Sequence, residues 1–498
     1  MKKIKLELIL FICGAVVMIF EIVGSRVIAP YLGSSTFVWT SIIGIIMASL
    51  SLGYFLGGKI ADKNPNFKTF STIIFFSAVM IAISAIIKDQ LLLLLVKHIH
   101  NLQLNTVLSS ILLFAPASIF LGMVSPYAVR LKIDSISHSG QTVGNLYAIS
   151  TMGSILGTFI TGFLLIGLLG TSKILILLVF IQLLVTFLAF PWKLSTQKFI
   201  GLFVVLFGFS LFASAPAIFA SNFYDIDTDY NRVWTYETID TQTGRPIRAL
   251  QTNPGQTEAA VFTDKDDDLV FDYTKFYRLG DHFNPEIKKA LLIGGGGYSY
   301  PKDFLQKHPD AQLDVVEIDP GLTKIARDHF NLQDNENLHI FHEDGRTFVN
   351  RLENADYDVV YIDAFNSQFA IPSHLTTSEF IGKIKENLSP NGVILVNIIS
   401  AIDGEAGMFL RSELQTYKEH FSFVEIIQIH DNRPATDVQN IQIIASQSAQ
   451  ENWQHSDNTE FQNYLNNIWT SEITGDYTIL TDDFAPVELY CYKMVKTK

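Results

Sequence analysis

Seven stretches in the first 220 residues are apolar and long enough to cross a bilayer, which takes about 20 helical residues, so this chain cannot fold as a single water-solvated globule. They are Leu6–Ile28, Phe37–Phe55, Phe70–Ile87, Val107–Met123, Leu146–Leu169, Ile174–Phe190 and Phe199–Ile218. The first runs on through Glu21 and Arg26 into further spans, which is not the pattern of a cleaved signal peptide. If all seven cross, the basic clusters Lys2, Lys3 and Lys5, then Lys59, Lys63 and Lys68, then Arg130 and Lys132, then Lys193 and Lys198 fall on one side, the cytoplasmic one by the positive-inside rule. An odd number of crossings puts the rest of the chain on the opposite side, away from cytosolic cofactors. A further or interfacial helix at Leu91–Val96, or an incomplete last crossing, reverses that, so the side is left open. Within the spans, Gly153 and Gly157 form a small-xxx-small pair suited to close helix packing. Glu21 and Arg26 lie about 140° apart round a helix, so each is expected to find its partner on a neighbouring helix.

Beyond residue 220 the character changes. Residues 1–220 carry 14 Lys and Arg against 5 Asp and Glu, whereas residues 221–498 carry 22 against 44. An acidic domain argues against nucleic acid as partner, because phosphate binding needs Lys and Arg, and is compatible with a cationic substrate such as an amine. The two cysteines, Cys13 and Cys491, offer no disulfide framework, and the dispersed histidines offer no metal-ligand cluster. Short alternating runs (Tyr230–Tyr236, Arg248–Thr252, Leu269–Tyr273) predict a small β-hairpin region. From Ala290 onward strands and helices alternate. The strands are expected at Ala290–Ile293, Leu313–Ile318, Leu338–Phe341, Asp358–Ile362, Gly392–Ile398, Phe423–Ile429 and Val438–Ala445, with helices such as Gly321–Phe330 and Thr377–Leu388 between them. That alternation implies parallel βαβ units with ligands at the carboxyl ends of the strands. The expected organisation is a transmembrane helical domain (1–220), a small β region (221–285) and an α/β Rossmann-like domain of the class I methyltransferase type (286–498).

The chemistry gathers at those strand ends. Gly294, Gly295, Gly296 and Gly297 follow the first strand directly, and Glu317 ends the second. A side-chain-free turn lets backbone approach a nucleoside closely, and an acid at the next strand end can hold the ribose hydroxyls. Asp344 and Gly345 follow the third strand, where an acid suits a donor such as an exocyclic amine, and Asp363 ends the fourth, near the reacting centre. Asp319-Pro320 reads as a helix start.

The runs GGGGYSYP, VVEIDP, HEDGRTF, YDVVYIDAF and LTDDFAPVE resemble the spermidine synthases (polyamine aminopropyltransferases), above all the branch fused to an N-terminal multi-span domain. The resemblance covers about 225–490. It implies that Gly294 to Gly296 cradle decarboxylated S-adenosylmethionine as a co-substrate, with no prosthetic group, that Glu317 binds ribose and Asp344 adenine, that Asp363 helps deprotonate the attacking amine, and that Tyr273 in FDYTKF lies on the substrate side. The chain departs from the family pattern at three places. Gly297 stands where an Asp usually holds the aminopropyl ammonium, Asn366 where a second substrate-side Asp is usual, and Asn231 where a Gln contacts the nucleoside. Asp482, Asp483 and Glu488 are candidates to replace the missing acids in space. The implied reading is a membrane-bound transferase moving an aminopropyl group to an amine such as putrescine. The alternatives are transfer of a methyl or other group from intact S-adenosylmethionine, and a transporter or sensor without catalysis. Assembly into a homo-oligomer is left open.

Overall fold

The computed structural model describes residues 2–99, 101–133, 139–190, 222–254, 257–264, 268–364, 371–448 and 452–496. The chain divides into two compact units, Met1–Ser221 and Asn222–Lys498.

The first unit is built from α1 (Lys2–Leu32), α2 (Thr36–Lys63), α3 (Phe67–His98), α4 (Leu102–Lys132), α5 (Ser139–Leu169, with a π-helical turn at Thr161–Leu165) and α6 (Thr171–Ala189). All six are long and apolar enough to cross a membrane. The seventh expected span, Phe199–Ile218, lies outside the described residues. Leu91–Val96 is no separate element: α3 runs through it without a break, and within α3 the buried Lys88 pairs with Asp89, which also accepts a 2.8 Å hydrogen bond from Tyr31 of α1. Asn66 and Asn101 cap α3 and α4, their side chains accepting from the amides of Thr69 and Leu104.

Backbone-to-backbone contact sets the spacing of two helix pairs. A Cβ added at Gly153 would lie 1.9 Å from the carbonyl oxygen of Phe11, and one at Gly157 would lie 2.6 Å from that of Ala15, so α5 touches α1 along its glycines. Gly53 and Gly57 do the same for α2 against α4, at Ile119 and Met123. In lipid, where apolar side chains gain little by leaving the solvent, such close approach is a main source of helix association.

The second unit holds two sheets. The smaller is an antiparallel meander, β1 (Tyr224–Asp227), β2 (Arg232–Ile239), β3 (Pro246–Gln251) and β4 (Ala259–Phe262). The larger contains β5 (Lys289–Ile293), β6 (Gln312–Val316), β7 (Leu338–Phe341), β8 (Tyr357–Ile362), β9 (Leu388–Ser400), β10 (Phe423–Gln428) and β11 (Gln439–Ser446), in the order β10-β11-β9-β8-β5-β6-β7. Its central strands are continuous apolar runs buried on both faces, as parallel strands covered by helices must be.

One expectation holds with an exception and one is corrected. The alternation of strands and helices implied parallel βαβ units, and β5 to β9 pair in that way, but β11 runs antiparallel to both β9 and β10. The link from β10 to β11 carries no helix, and a parallel return needs a crossover of a dozen or more residues. Leu269–Tyr273, expected as a strand, makes a single bridge from Leu269 to Val261 and then turns helical at Asp272–Phe276. The alternating Leu269, Phe271 and Tyr273 mimic a strand period, yet Tyr273 and Tyr277 stand four apart, which on a helix puts both on one face.

Replacing Gly153 by Val forces a branched side chain into the Phe11 backbone. Thermal unfolding of detergent-purified protein should show a loss of about 1–3 kcal/mol, the usual range for overpacking. Gly144→Ala, where the added carbon meets nothing within 4 Å, should leave stability at or above that of the parent.

Candidate active site

The order of the large sheet reverses between β5 and β8: from β5 the chain winds outward through β6 and β7, then returns to β8 and β9 on the other side. Crevices form at such a switch point, at the carboxyl ends of the strands. Here that crevice is a cavity of about 560 Å³. Tyr273, Gly294, Gly295, Gly296, Gly297, Glu317, Asp344, Gly345 and Asp363, scattered over the sequence, all line it. Asn366, the remaining expected substrate residue, lies outside the described residues.

The glycines are needed for different reasons. Gly294 sits at φ +97°, and a Cβ there would come 2.2 Å from the carbonyl oxygen of Asp363, so the turn after β5 and the end of β8 are in backbone contact. Gly295 could carry no side chain without striking the Tyr298 ring at 2.7 Å, whereas Gly296, at φ +50°, faces open space. Glu317, at the end of β6, closes the turn from below. One carboxylate oxygen accepts from the amides of Gly295 (2.9 Å) and Gly296 (3.1 Å), the other from the amide of Asp319 (2.9 Å). Burial raises the pKa of Glu317 and these three amides work against the rise. Asp319 starts the helix Pro320–His329 as its N-cap.

Asp344 caps the helix Gly345–Asn350, accepting from the Thr347 amide (3.0 Å), and pairs with His374 (2.8 Å). Partial burial disfavours its charge, but the Thr347 amide and His374 outweigh that and hold its pKa below the usual carboxylate value. Asp363 is in the opposite state. Burial pushes its pKa up to about 6, against hydrogen bonds from Asn397, Tyr273 and Tyr277 that favour the ionised form. Asn397 donates through Nδ2 at 3.1 Å. Two acids of one cavity are thus poised differently, one firmly ionised and one able to exchange a proton near neutrality.

Among the lining residues that escaped the sequence reading, three bear on the acids of the cavity. Tyr277 could have been found from its spacing to Tyr273, and Asn397 as a polar residue closing the apolar run Val393–Val396. Glu258, just before β4, follows a turn with no recognisable pattern. Its carboxyl accepts from Thr252 and Asn253, and burial, reinforced by the charges of Asp363 and Glu317, pushes its pKa up to about 7. The proposed substitutes for the missing acids do not line the cavity: Asp482 is taken up by Arg346 (2.7 Å) and Thr377 (2.7 Å), and neither Asp483 nor Glu488 reaches the wall. Asn231 bonds Asp319 at 3.2 Å and is likewise absent from the lining.

Sheet order, glycine turn and strand-end acids together define a Rossmann-like α/β domain of the class I methyltransferase type. A family model described as spermine/spermidine synthase domain matches residues 275–426. The polyamine aminopropyltransferase of Vibrio vulnificus (strain CMCP6) is 32% identical over 237 residues, covering 45% of this chain and 77% of the relative. The eEF1A lysine and N-terminal methyltransferase homolog of Drosophila melanogaster is 29% identical over 129 residues, covering 24% of this chain and 19% of that protein. Among solved structures, a probable spermidine synthase from Corynebacterium glutamicum ATCC 13032 superposes with a TM-score of 0.41 at 22% identity, covering 48% of this chain and 85% of that one. The chain belongs to the spermine/spermidine synthase family, the polyamine aminopropyltransferases.

The raised pKa values of Asp363 and Glu258 fix a sign for stability. A carboxyl whose folded pKa lies above its unfolded value of about 4 adds stability that is full below that value and lost as pH rises through the folded pKa. For these two the loss falls through about 6 and about 7. In thermal melts of the ligand-free protein, the double variant Asp363→Asn, Glu258→Gln should therefore gain on the parent as pH is raised from about 5 to about 8.

Proposed function

We propose that this chain is a membrane-anchored aminopropyltransferase, in which residues 1–220 form the anchor and the cavity of the second unit transfers an aminopropyl group from decarboxylated S-adenosylmethionine to an amine of the putrescine type. The observation that carries the reading is the placing of Asp363, a carboxyl of raised pKa held by Tyr273, Tyr277 and Asn397, in backbone contact with the glycine turn.

The nucleoside lies along that turn, its ribose hydroxyls at Glu317 and its adenine toward Asp344. The reaction is an in-line displacement. The amine nitrogen forms a bond to the carbon beside the sulfonium, the carbon–sulfur bond breaks, and methylthioadenosine leaves with the electron pair. The sulfonium is already an activated leaving group, so alignment and a neutral nucleophile are what the protein must supply. Free alkylamines, with pKa values of about 10, are protonated at neutral pH. Asp363 orients the amine and takes up its proton, and a pKa of about 6 suits that exchange near neutrality. Tyr273 and Tyr277, their own hydroxyls held well above the ordinary tyrosine value by burial, stay protonated and donate to Asp363.

Full-length protein in detergent, given decarboxylated donor and a mixed amine panel, should form methylthioadenosine together with an aminopropylated amine. S-adenosylhomocysteine formed from intact donor would point to methyl transfer, and the absence of both products would sink the catalytic reading. Asp363→Asn should lower kcat by about 10²-fold or more, the usual worth of a positioned base, while methylthioadenosine binding by calorimetry stays within about twofold. Asn397→Ala removes a hydrogen bond that favours the carboxylate, so the acid limb of the kcat profile should move upward from about 6.

A further inference from the structure

The proposed chemistry gives Glu258 no task, although its carboxyl lines the cavity. Both of its side-chain hydrogen bonds, from Thr252 and Asn253, fall on Oε1, and among the described residues Oε2 has none. Its main-chain carbonyl accepts from the Tyr273 hydroxyl at 3.4 Å, the same tyrosine that bonds Asp363. The charges of Asp363 and Glu317 bear on Glu258, and all three carboxyl groups line the one cavity. A half-buried carboxylate that shares a cavity wall with two others favours a cation.

Packing across the glycine turn supports this independently. Gly297 has a backbone conformation open to any residue, since its φ is not in the left-handed region. A side chain is excluded there by Ala259, whose Cβ would lie 2.6 Å from one built on Gly297. The residue that fills the space is thus the immediate neighbour of Glu258. The start of strand β4 occupies the place where a side chain from the turn would begin, and the residue before it carries a carboxyl into the cavity wall.

We infer that Glu258 binds the ammonium end of the donor's aminopropyl chain in place of an acid at position 297, and so selects the decarboxylated donor over intact S-adenosylmethionine. The inference rests on the aminopropyl-transfer reading. The donor's terminal amine is cationic at neutral pH, and a charge-assisted hydrogen bond to a carboxylate in a low-dielectric wall is among the stronger polar contacts available. Intact donor carries a carboxylate on the same tail, which Glu258 repels. The raised pKa of the empty site agrees: a bound cation favours the ionised form, so binding of the decarboxylated donor releases a proton near neutrality.

Calorimetric titration of detergent-purified full-length protein with decarboxylated S-adenosylmethionine, intact S-adenosylmethionine and methylthioadenosine tests this. Glu258→Gln should weaken the decarboxylated donor by roughly tenfold or more, leave methylthioadenosine within about twofold, and bind intact donor at least as well as the parent. The triple variant Glu258→Gln, Ala259→Gly, Gly297→Asp returns an acid to the turn and should recover most of the lost affinity. In the parent, affinity for the decarboxylated donor relative to methylthioadenosine should rise as pH increases through about 7, a readout that needs no variant. Equal weakening of all three ligands by Glu258→Gln, unchanged selectivity, or a flat pH ratio overturns the inference while leaving the aminopropyl-transfer reading intact. A parent protein that does not bind the decarboxylated donor overturns both.

Discussion

The second unit depends on one close approach, the backbone of Gly294 against the carbonyl of Asp363. The Asp363 amide donates to Ile293 at 2.8 Å, and the missing Cβ of Gly294 is what lets the two strand ends meet. Because β5 and β8 are neighbours in the sheet, this contact joins the glycine turn to the strand end that carries Asp363. Any side chain at Gly294 would separate them. The distance between the turn and Asp363 is therefore set by main chain packed in a sheet core.

Around that contact the protein sets its carboxyl groups by environment. Asp344 is charged because a helix N-terminus and a histidine favour its anion. Asp363 and Glu258 are placed where burial exceeds the hydrogen bonds offered to them, and each holds its proton into the neutral range. Glu317 lies between these cases, its buried charge shared among three amides. One cavity thus offers fixed negative charge at one end and exchangeable protons at the other.

The seven strands of the large sheet and the line of strand-end residues were legible in the sequence because buried parallel strands leave continuous apolar runs, and a glycine turn followed by a spaced acid is a local pattern. Pairing direction was less so. The reversal of β11 follows from a link without a helix, which says nothing until the strands are seen side by side. The run Leu269–Tyr273 satisfies both a strand and a helix period over five residues, and tertiary contact of Tyr273 and Tyr277 with Asp363 favours the helix. Glu258 was invisible for another reason: it comes from a strand of the other sheet, and its relation to Gly297 exists through Ala259 and nowhere in the local sequence. In the first unit the glycines Gly153 and Gly157 could be read ahead, whereas the partner of Lys88, its neighbour Asp89, shows only in the folded helix.

The hairpin that reverses β11 also divides the cavity wall by origin. His430, Arg433 and Val438, in the link between β10 and β11, and Gln439 and Asn440 at the start of β11, form one side, and the glycine turn with the ends of β6 and β8 forms the other. The link is braced within itself and against its own end of the sheet, through Gln428 to the Arg433 carbonyl (2.7 Å), Gln439 to the Pro434 carbonyl (3.2 Å) and the Ile402 amide to Ala435 (2.8 Å). None of these three bonds runs to the glycine turn. The fold therefore builds one wall from parallel strand ends in the sheet core and the other from a hairpin that closes on itself.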